Sequence, residues 1–375
     1  MRGFGILLFI FFVLLAIAIH ELGHFATAKW FKIKVDKFFI GFGPKLWSVK
    51  RGETEYGIAA FPLGGYVKIA GMNPLEEIPP EDLPRTFKAK PAWQRAIVLV
   101  AGSVTHFIVA LVILAAILAI AGQKDYGTAT LEIRKIGSET PGEITSSQRA
   151  GMKAGDRIVS VAGRPVTQWS QVQEAILARA PGQRLDIVVE RDGRELALSA
   201  TLGERERDGQ KIAFLGVSPE FAVIDHSAGG AIIESGRQVG IGMWQSLVAF
   251  KNVFAPSNLN RLFQVAIGRQ ERSETDPSSL VGVGRLSGDA ASEGDFASLF
   301  LIIVSFNIFV GVVNLVPLPP LDGGHLAVLG FEKLTRREVD VRRLLPITAM
   351  VLSALGMLFL LLLYTDIVNP IRLPG

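Results

Sequence analysis

His20, Glu21 and His24 form a HExxH string inside the first long apolar run of the chain. On a helix, positions four apart share a face. Both imidazoles can therefore reach one metal ion, while the carboxylate beside them can hold and deprotonate a water. Ionisable groups are costly in lipid, so this setting favours a working site over two core histidines satisfied by backbone carbonyls. A catalytic zinc usually takes three protein ligands and keeps its fourth position open. The chain has no cysteine, which excludes thiol catalysis, a disulfide framework and cysteine-rich metal sites, and the third ligand must then be a histidine or a carboxylate. The remaining apolar stretches offer His106, Asp322 and His325. Residue type alone leaves Asp322 and His325 both open.

Positioning these residues requires membrane helices. The chain has 375 residues, is 49% hydrophobic and still carries 20% charged residues, the balance of a membrane protein with a water-exposed part. Four stretches are long enough to span: Phe4 to Ala28, Trp93 to Ala121, Ala297 to about Val316, and Leu345 to Tyr364. Basic residues cluster at Lys29 to Lys37, at Arg85 to Arg95 and at Lys333 to Arg343, beside the spans. Those loops are expected in the cytoplasm, with both termini and the long polar stretch outside. The net charge of +4 follows from this topology, and nucleic acid is not an expected partner. The first span has its basic cluster after it, the reverse of a cleaved signal peptide. Spans one and three run in the same direction, so HExxH and Asp322 can meet at one depth. Pro317, Pro319 and Pro320 break the helix ahead of Asp322, and broken backbone is tolerated at membrane depth where it lines a protected cavity.

Between spans one and two, residues 52–68 alternate short β-prone runs with Pro62 and Gly64-Gly65, which predicts a hairpin whose strand edge could pair with an extended substrate. Residues 72–90 read as a surface linker. From about Gly127 to Gly203 the pattern is that of a small αβ domain, with an amphipathic helix at Gln171–Arg179 and strands at Leu185–Glu190 and Glu195–Ala200 around an Asp192-Gly193 turn. Ile241–Phe254 suits a helix lying in the outer interface, Arg269–Asp295 reads as a loop, and His226 as a surface residue.

HELGH at 20–24, the N-x-x-P-x-P-x-x-D-G pattern from Asn314 to Gly323, the Pro62-Leu63-Gly64-Gly65-Tyr66 string and the intervening αβ domain resemble, in order, the site-2 protease family of intramembrane zinc metalloproteases. Within it they are most similar to the RseP-like bacterial branch. The string Ala150–Val166 is similar to the helix, turn and strand of a PDZ domain, and a single such unit is closer to actinobacterial members. The resemblance implies Zn²⁺ held by His20, His24 and Asp322, Glu21 as general base, and Asn314, His106, Gly64, Gly65 and Tyr66 as substrate-positioning residues. His325 then falls to a supporting role. His106 stands where many relatives carry asparagine, and its role stays open between a donor to substrate, a helix-packing contact and an approach to the metal.

The implied fold is a polytopic α-helical membrane protein with four transmembrane helices, a membrane-associated β-hairpin loop and an inserted extracytoplasmic PDZ (αβ) domain. Its expected parts are residues 1–121, with HExxH and the hairpin; 122–220, the PDZ domain; 221–296, a membrane-proximal region; and 297–375, with the third and fourth helices. The implied function is cleavage of single-pass, anti-sigma-factor-like membrane proteins, already trimmed by an upstream site-1-type protease, and of remnant signal peptides. The implied setting is the bacterial inner membrane, in contact with lipid, with the site toward the cytoplasm. A non-catalytic PDZ membrane adaptor and a metal-ion transporter are the competing readings. The adaptor predicts no metal, and the transporter leaves the Glu21 position and the PDZ insertion unexplained.

Overall fold

The first 30 residues contain no proline and are almost wholly apolar, conditions that favour one uninterrupted helix in lipid. In the computed structural model, which describes residues 1–73, 76–137, 144–207, 210–273 and 276–371, they form α1 (Arg2–Trp30). Its buried residues Gly5, Phe9, Val13, Ala16, Gly23, His24 and Ala28 recur at helical spacing along one face. The hairpin follows as β1 (Val35–Arg51) and β2 (Thr54–Ile69), and α2 (Ala92–Ala121) returns. The first part of β1 pairs on both sides, as Phe39 meets Tyr66 on one edge and Gly57 on the other, while Lys45–Arg51 pair back onto Thr54–Ala59. Gly41 and Gly43, at φ +92° and +87°, supply the backbone conformations that let β1 redirect midway.

Residues Ala121–His226 form a separate compact unit. It comprises β3 (Gln123–Ile136), the short α3 (Ser146–Arg149), β4 (Arg157–Val161), β5 (Arg164–Pro165), α4 (Trp169–Leu177), β6 (Arg184–Arg191), β7 (Arg194–Thr201), β8 (Gly203–Arg207), β9 (Gln210–Phe214) and β10 (Val217–Ile224). The main sheet has the order β10-β3-β4-β6-β7, with β5 paired to β4. Ile158, Ile187, Val189 and Leu185 from the sheet pack against Val172 and Ile176 of α4 in one apolar core. Asp156 is 1% exposed and accepts two hydrogen bonds from Arg191, at 2.6 and 2.7 Å, and one from the Lys153 amide at 2.8 Å.

The chain then rejoins the helical unit, Met1–Ile120 with Ser227–Ile371. It forms α5 (Ala228–Val253), α6 (Pro256–Ala266), α7 (Leu280–Ser292), α8 (Phe296–Asn314), α9 (Asp322–Thr335) and α10 (Leu345–Val368). Helices α1, α2, α8 and α10, the last with the turn before it from Arg342, are long and apolar enough to cross a membrane. α8 is the hub: Leu299 and Ile303 pack with Phe9 and Val13 of α1, and Val304, Ile308 and Val312 with Ala110 and Leu114 of α2 and Val239 of α5. α10 buries only Thr365 and Asp366. There the Asp366 carboxylate meets Arg272 in an ion pair whose side chains are 1% and 3% exposed.

Three regions differ from the sequence expectation. Leu280–Ser292, expected as loop, is a helix started by Ser279, whose hydroxyl accepts from the Val281 and Gly282 amides. Its glycines are contact residues: a Cβ at Gly288 would lie 2.9 Å from the Arg2 carbonyl of α1, and one at Gly5 3.0 Å from Gly288 Cα. Glu274 and Thr275 of the expected loop lie outside the described residues. The helix expected at Ile241–Phe254 starts at Ala228 and is capped by Ser227. Residues 72–90 are no loose linker, because Phe87 is buried and Asp82, Arg85 and Glu76 pair with Lys34, Glu53 and Lys68. Pro74 and Leu75 lie outside the described residues. His226, expected at the surface, is partly exposed and bonded to Gln123 at 3.1 Å.

Gly288→Leu should overpack the α1–α7 crossing and cost about 1–3 kcal/mol, read as a lower unfolding temperature in detergent. Burial would raise the Asp156 carboxyl, but hydrogen bonds from Arg191 and the Lys153 amide outweigh it and hold the group below the usual carboxylate range. That contribution is fully present above about pH 4 and is lost as pH falls through the depressed folded value. Amide protection factors of residues 121–226 in the full chain, corrected for the intrinsic pH dependence of exchange, should therefore fall below that pH. Asp156→Asn should flatten the pH dependence and cost about 2 kcal/mol.

Candidate metal centre

α1 presents His20 and His24 one turn apart, and α2 lies directly against them. Two glycines permit the approach. A Cβ at Gly23 would sit 2.7 Å from the Ala101 carbonyl oxygen, and one at Gly102 would collide with His24 Nε2 and lie 2.6 Å from His20 Cε1. His24 Nδ1 is 2.7 Å from the Val98 carbonyl oxygen. A carbonyl only accepts, so Nδ1 carries the hydrogen and Nε2 keeps its lone pair for the centre.

The third group arrives across the break after α8. Leu315–Leu321 turn sharply, and Gly323 and Gly324 let the start of α9 press onto that turn. A Cβ on Gly323 would collide with the Leu315 carbonyl, and one on Gly324 would lie 2.6 Å from Pro319 N. Asp322 is thereby the first residue of α9, and its Oδ2 is 3.3 Å from His20 Nε2 and 3.2 Å from His24 Nε2. The two Nε2 atoms are 3.2 Å apart. These three sides outline one face of a tetrahedron whose centre lies about 2.0 Å from each atom, the bond length of zinc to imidazole nitrogen and carboxylate oxygen. Asp322 Oδ2 is buried and lacks a hydrogen-bond partner. Two imidazole lone pairs and a carboxylate oxygen converging there would repel one another, and a divalent cation removes that repulsion. Among the described residues, His20, His24 and Asp322 are the group of three able to hold a metal.

The neighbours are placed as follows. Glu21 faces the hairpin, with a Cβ at Gly65 falling 2.8 Å from Glu21 Cγ. Gly64 abuts the Phe42 ring, and Tyr66 stacks on Phe39 and Phe42 with ring centroids 5.5 and 6.2 Å apart. Among the described residues no strand pairs with the outer edge of β2 along Phe61–Ile69. Asn314 is the last residue of α8 and is half-buried. His325 is exposed and stands apart from the three-atom cluster. His106 is also outside that cluster. It is 3% exposed, its ring centroid is 5.1 Å from that of His20, and its Nδ1 is 3.0 Å from Asn307 Oδ1. Asn307 escaped the sequence reading, although an amide in the middle of an apolar span is itself a signal of helix-to-helix hydrogen bonding.

The sequence model of peptidase family M50 matches residues 8–363. Zinc metalloprotease Rip1 of Mycobacterium tuberculosis H37Rv is 32% identical over 98% of this chain and 98% of its own length. Its namesake in Mycolicibacterium smegmatis is 31% identical over 100% of this chain and 99% of its own. Among solved structures, the PDZ domain of an SdrC-like protein from Listeria monocytogenes covers 23% of this chain and 87% of its own at 13% identity, with a TM-score of 0.19. The HtrA3 PDZ domain bound to a phage-derived ligand covers 20% and 84% at 28% identity and a TM-score of 0.14. Scores this low do not establish a shared fold. With a family match across nearly the whole sequence and relatives aligned end to end, the chain belongs to peptidase family M50.

Proposed function

We propose that this chain is an intramembrane zinc endopeptidase that hydrolyses peptide bonds within or beside transmembrane segments. The observation carrying this reading is the triangle of His20 Nε2, His24 Nε2 and Asp322 Oδ2, with sides of 3.2 to 3.3 Å. Membership of a peptidase family and end-to-end similarity to zinc metalloproteases support it over a PDZ adaptor. His20, His24 and Asp322 hold the metal. Zinc, when bound, acts as a Lewis acid on the scissile carbonyl and acidifies the attacking water. Glu21 takes the proton of that water and delivers it to the leaving amine. Asn314 steadies the substrate backbone. The open edge at Gly64, Gly65 and Tyr66 receives the substrate as an added strand, which holds the cleaved stretch unwound.

Membership of peptidase family M50 and four helices long and apolar enough to cross a membrane support a bacterial inner-membrane protein. The basic loops support extracytoplasmic termini, an extracytoplasmic 121–226 unit, and a site reached from the cytoplasmic side. The antiparallel strands and helix α4 of that unit support a single PDZ-like module that restricts access for substrates with large ectodomains. The substrates are single-pass, anti-sigma-factor-like proteins already cut outside by a site-1-type protease, with remnant signal peptides as a second class.

Purified Glu21→Gln should keep one zinc per chain and lose about 10³-fold in turnover of a transmembrane reporter, whereas His20→Ala should lose the zinc itself. Cleavage by Glu21→Gln at the wild-type rate overturns the reading. Gly102→Val alters no ligand, yet it should also abolish stoichiometric zinc in elemental analysis, because its side chain needs the volume held by both imidazoles.

A further inference from the structure

The two histidines of the triangle are supported unequally. His24 donates from Nδ1 to the Val98 carbonyl. His20 also turns Nε2 toward the centre, so its Nδ1 must carry the hydrogen, yet that Nδ1 is buried and has no hydrogen-bond partner. Metal-ligating histidines almost always donate their second ring N–H, and the partner fixes the tautomer, the ring orientation and the ligand's basicity.

The nearest ring is that of His106, with centroids 5.1 Å apart. Its hydrogen placement is fixed from the far side. Asn307 Nδ2 donates to the Ile303 carbonyl at 2.9 Å, which settles the orientation of the amide and leaves Oδ1 toward His106. Oδ1 only accepts, so His106 Nδ1, 3.0 Å away, is the donor. A neutral imidazole that donates from Nδ1 is an acceptor at Nε2.

We infer that His106 is a positioning residue for the metal centre. Its Nε2 accepts from His20 Nδ1–H, directly or through one water, and Asn307 acts through it by holding the ring in the accepting tautomer. α2 and α8 thus steady a ligand carried by α1. This inference rests on the zinc reading given above, and it assigns His106 to the ligand side of the site.

The test is zinc affinity of the full-length protein in detergent, measured by chelator competition, together with the absorption spectrum of the Co²⁺-substituted form. His106→Leu and Asn307→Leu should each weaken zinc binding about 10- to 100-fold, the range for lost supporting partners, and shift the Co²⁺ bands. His106→Gln, whose side-chain oxygen can accept from His20, should stay within about threefold of wild type. Unchanged affinity in both leucine variants overturns the inference. Equal loss in His106→Gln and His106→Leu also overturns it, since packing would then explain the effect. Should Asn307→Leu fail to fold, the two His106 variants decide alone. His20→Ala separates the levels: retention of stoichiometric zinc there sinks the zinc reading itself.

Discussion

Imidazoles on a lipid-spanning helix are costly unless their polar nitrogens are met, and the packing around this site is arranged to bring partners to them. Lipid offers no hydrogen bonds, so partners must come from neighbouring helices at backbone contact distance. Gly23 and Gly102 make such contact possible between α1 and α2, and the Val98 carbonyl then serves His24 directly. The same closeness excludes any side chain at position 102. The glycines that flank the motif are thus as much a part of the centre as the ligands, although they contribute no donor atom.

The parts legible in the sequence were those written in local pattern. HExxH needs only helical spacing, and the four spans need only length and apolarity. Bringing Asp322 to the pair depended on topology, because parallel directions of the first and third spans set the depth while prolines broke the helix. What stayed hidden was fixed by tertiary contact. Leu280–Ser292 sits in the polar stretch Arg269–Asp295 that reads as loop, yet it is a helix whose Gly288 is where α1 and α7 touch. Asn307 lies some 200 positions from its partner His106, a pairing no window along the chain can display. Phe87 and the ion pairs around Glu53 turn an apparently polar linker into a strap held on the hairpin.

The helices are held to different degrees. α8 packs against α1, α2 and α5 along most of its length, and the backbone that carries Asn314 and leads to Asp322 inherits that rigidity. α10 is anchored at one end, where Asp366 accepts from the Ser279 amide and pairs with Arg272, and Arg285 bonds the Asp366 carbonyl. A buried ion pair fixes geometry more surely than it adds stability. It specifies where α10 ends relative to α7 and leaves the rest of that helix facing lipid.

The open outer edge of β2 has one more consequence. Backbone amides and carbonyls along Phe61–Ile69 that lack a strand partner cannot remain dry without a penalty of several kcal/mol for each group. They need another partner, and one is at hand, because Gly65 places that row against Glu21 and the Val67 amide donates to its carboxylate. The carboxylate beside the histidine pair is thereby tied to the same backbone row that has no strand partner among the described residues. On the reading proposed above, an extended chain that took those hydrogen bonds would lie against Glu21 from the outset.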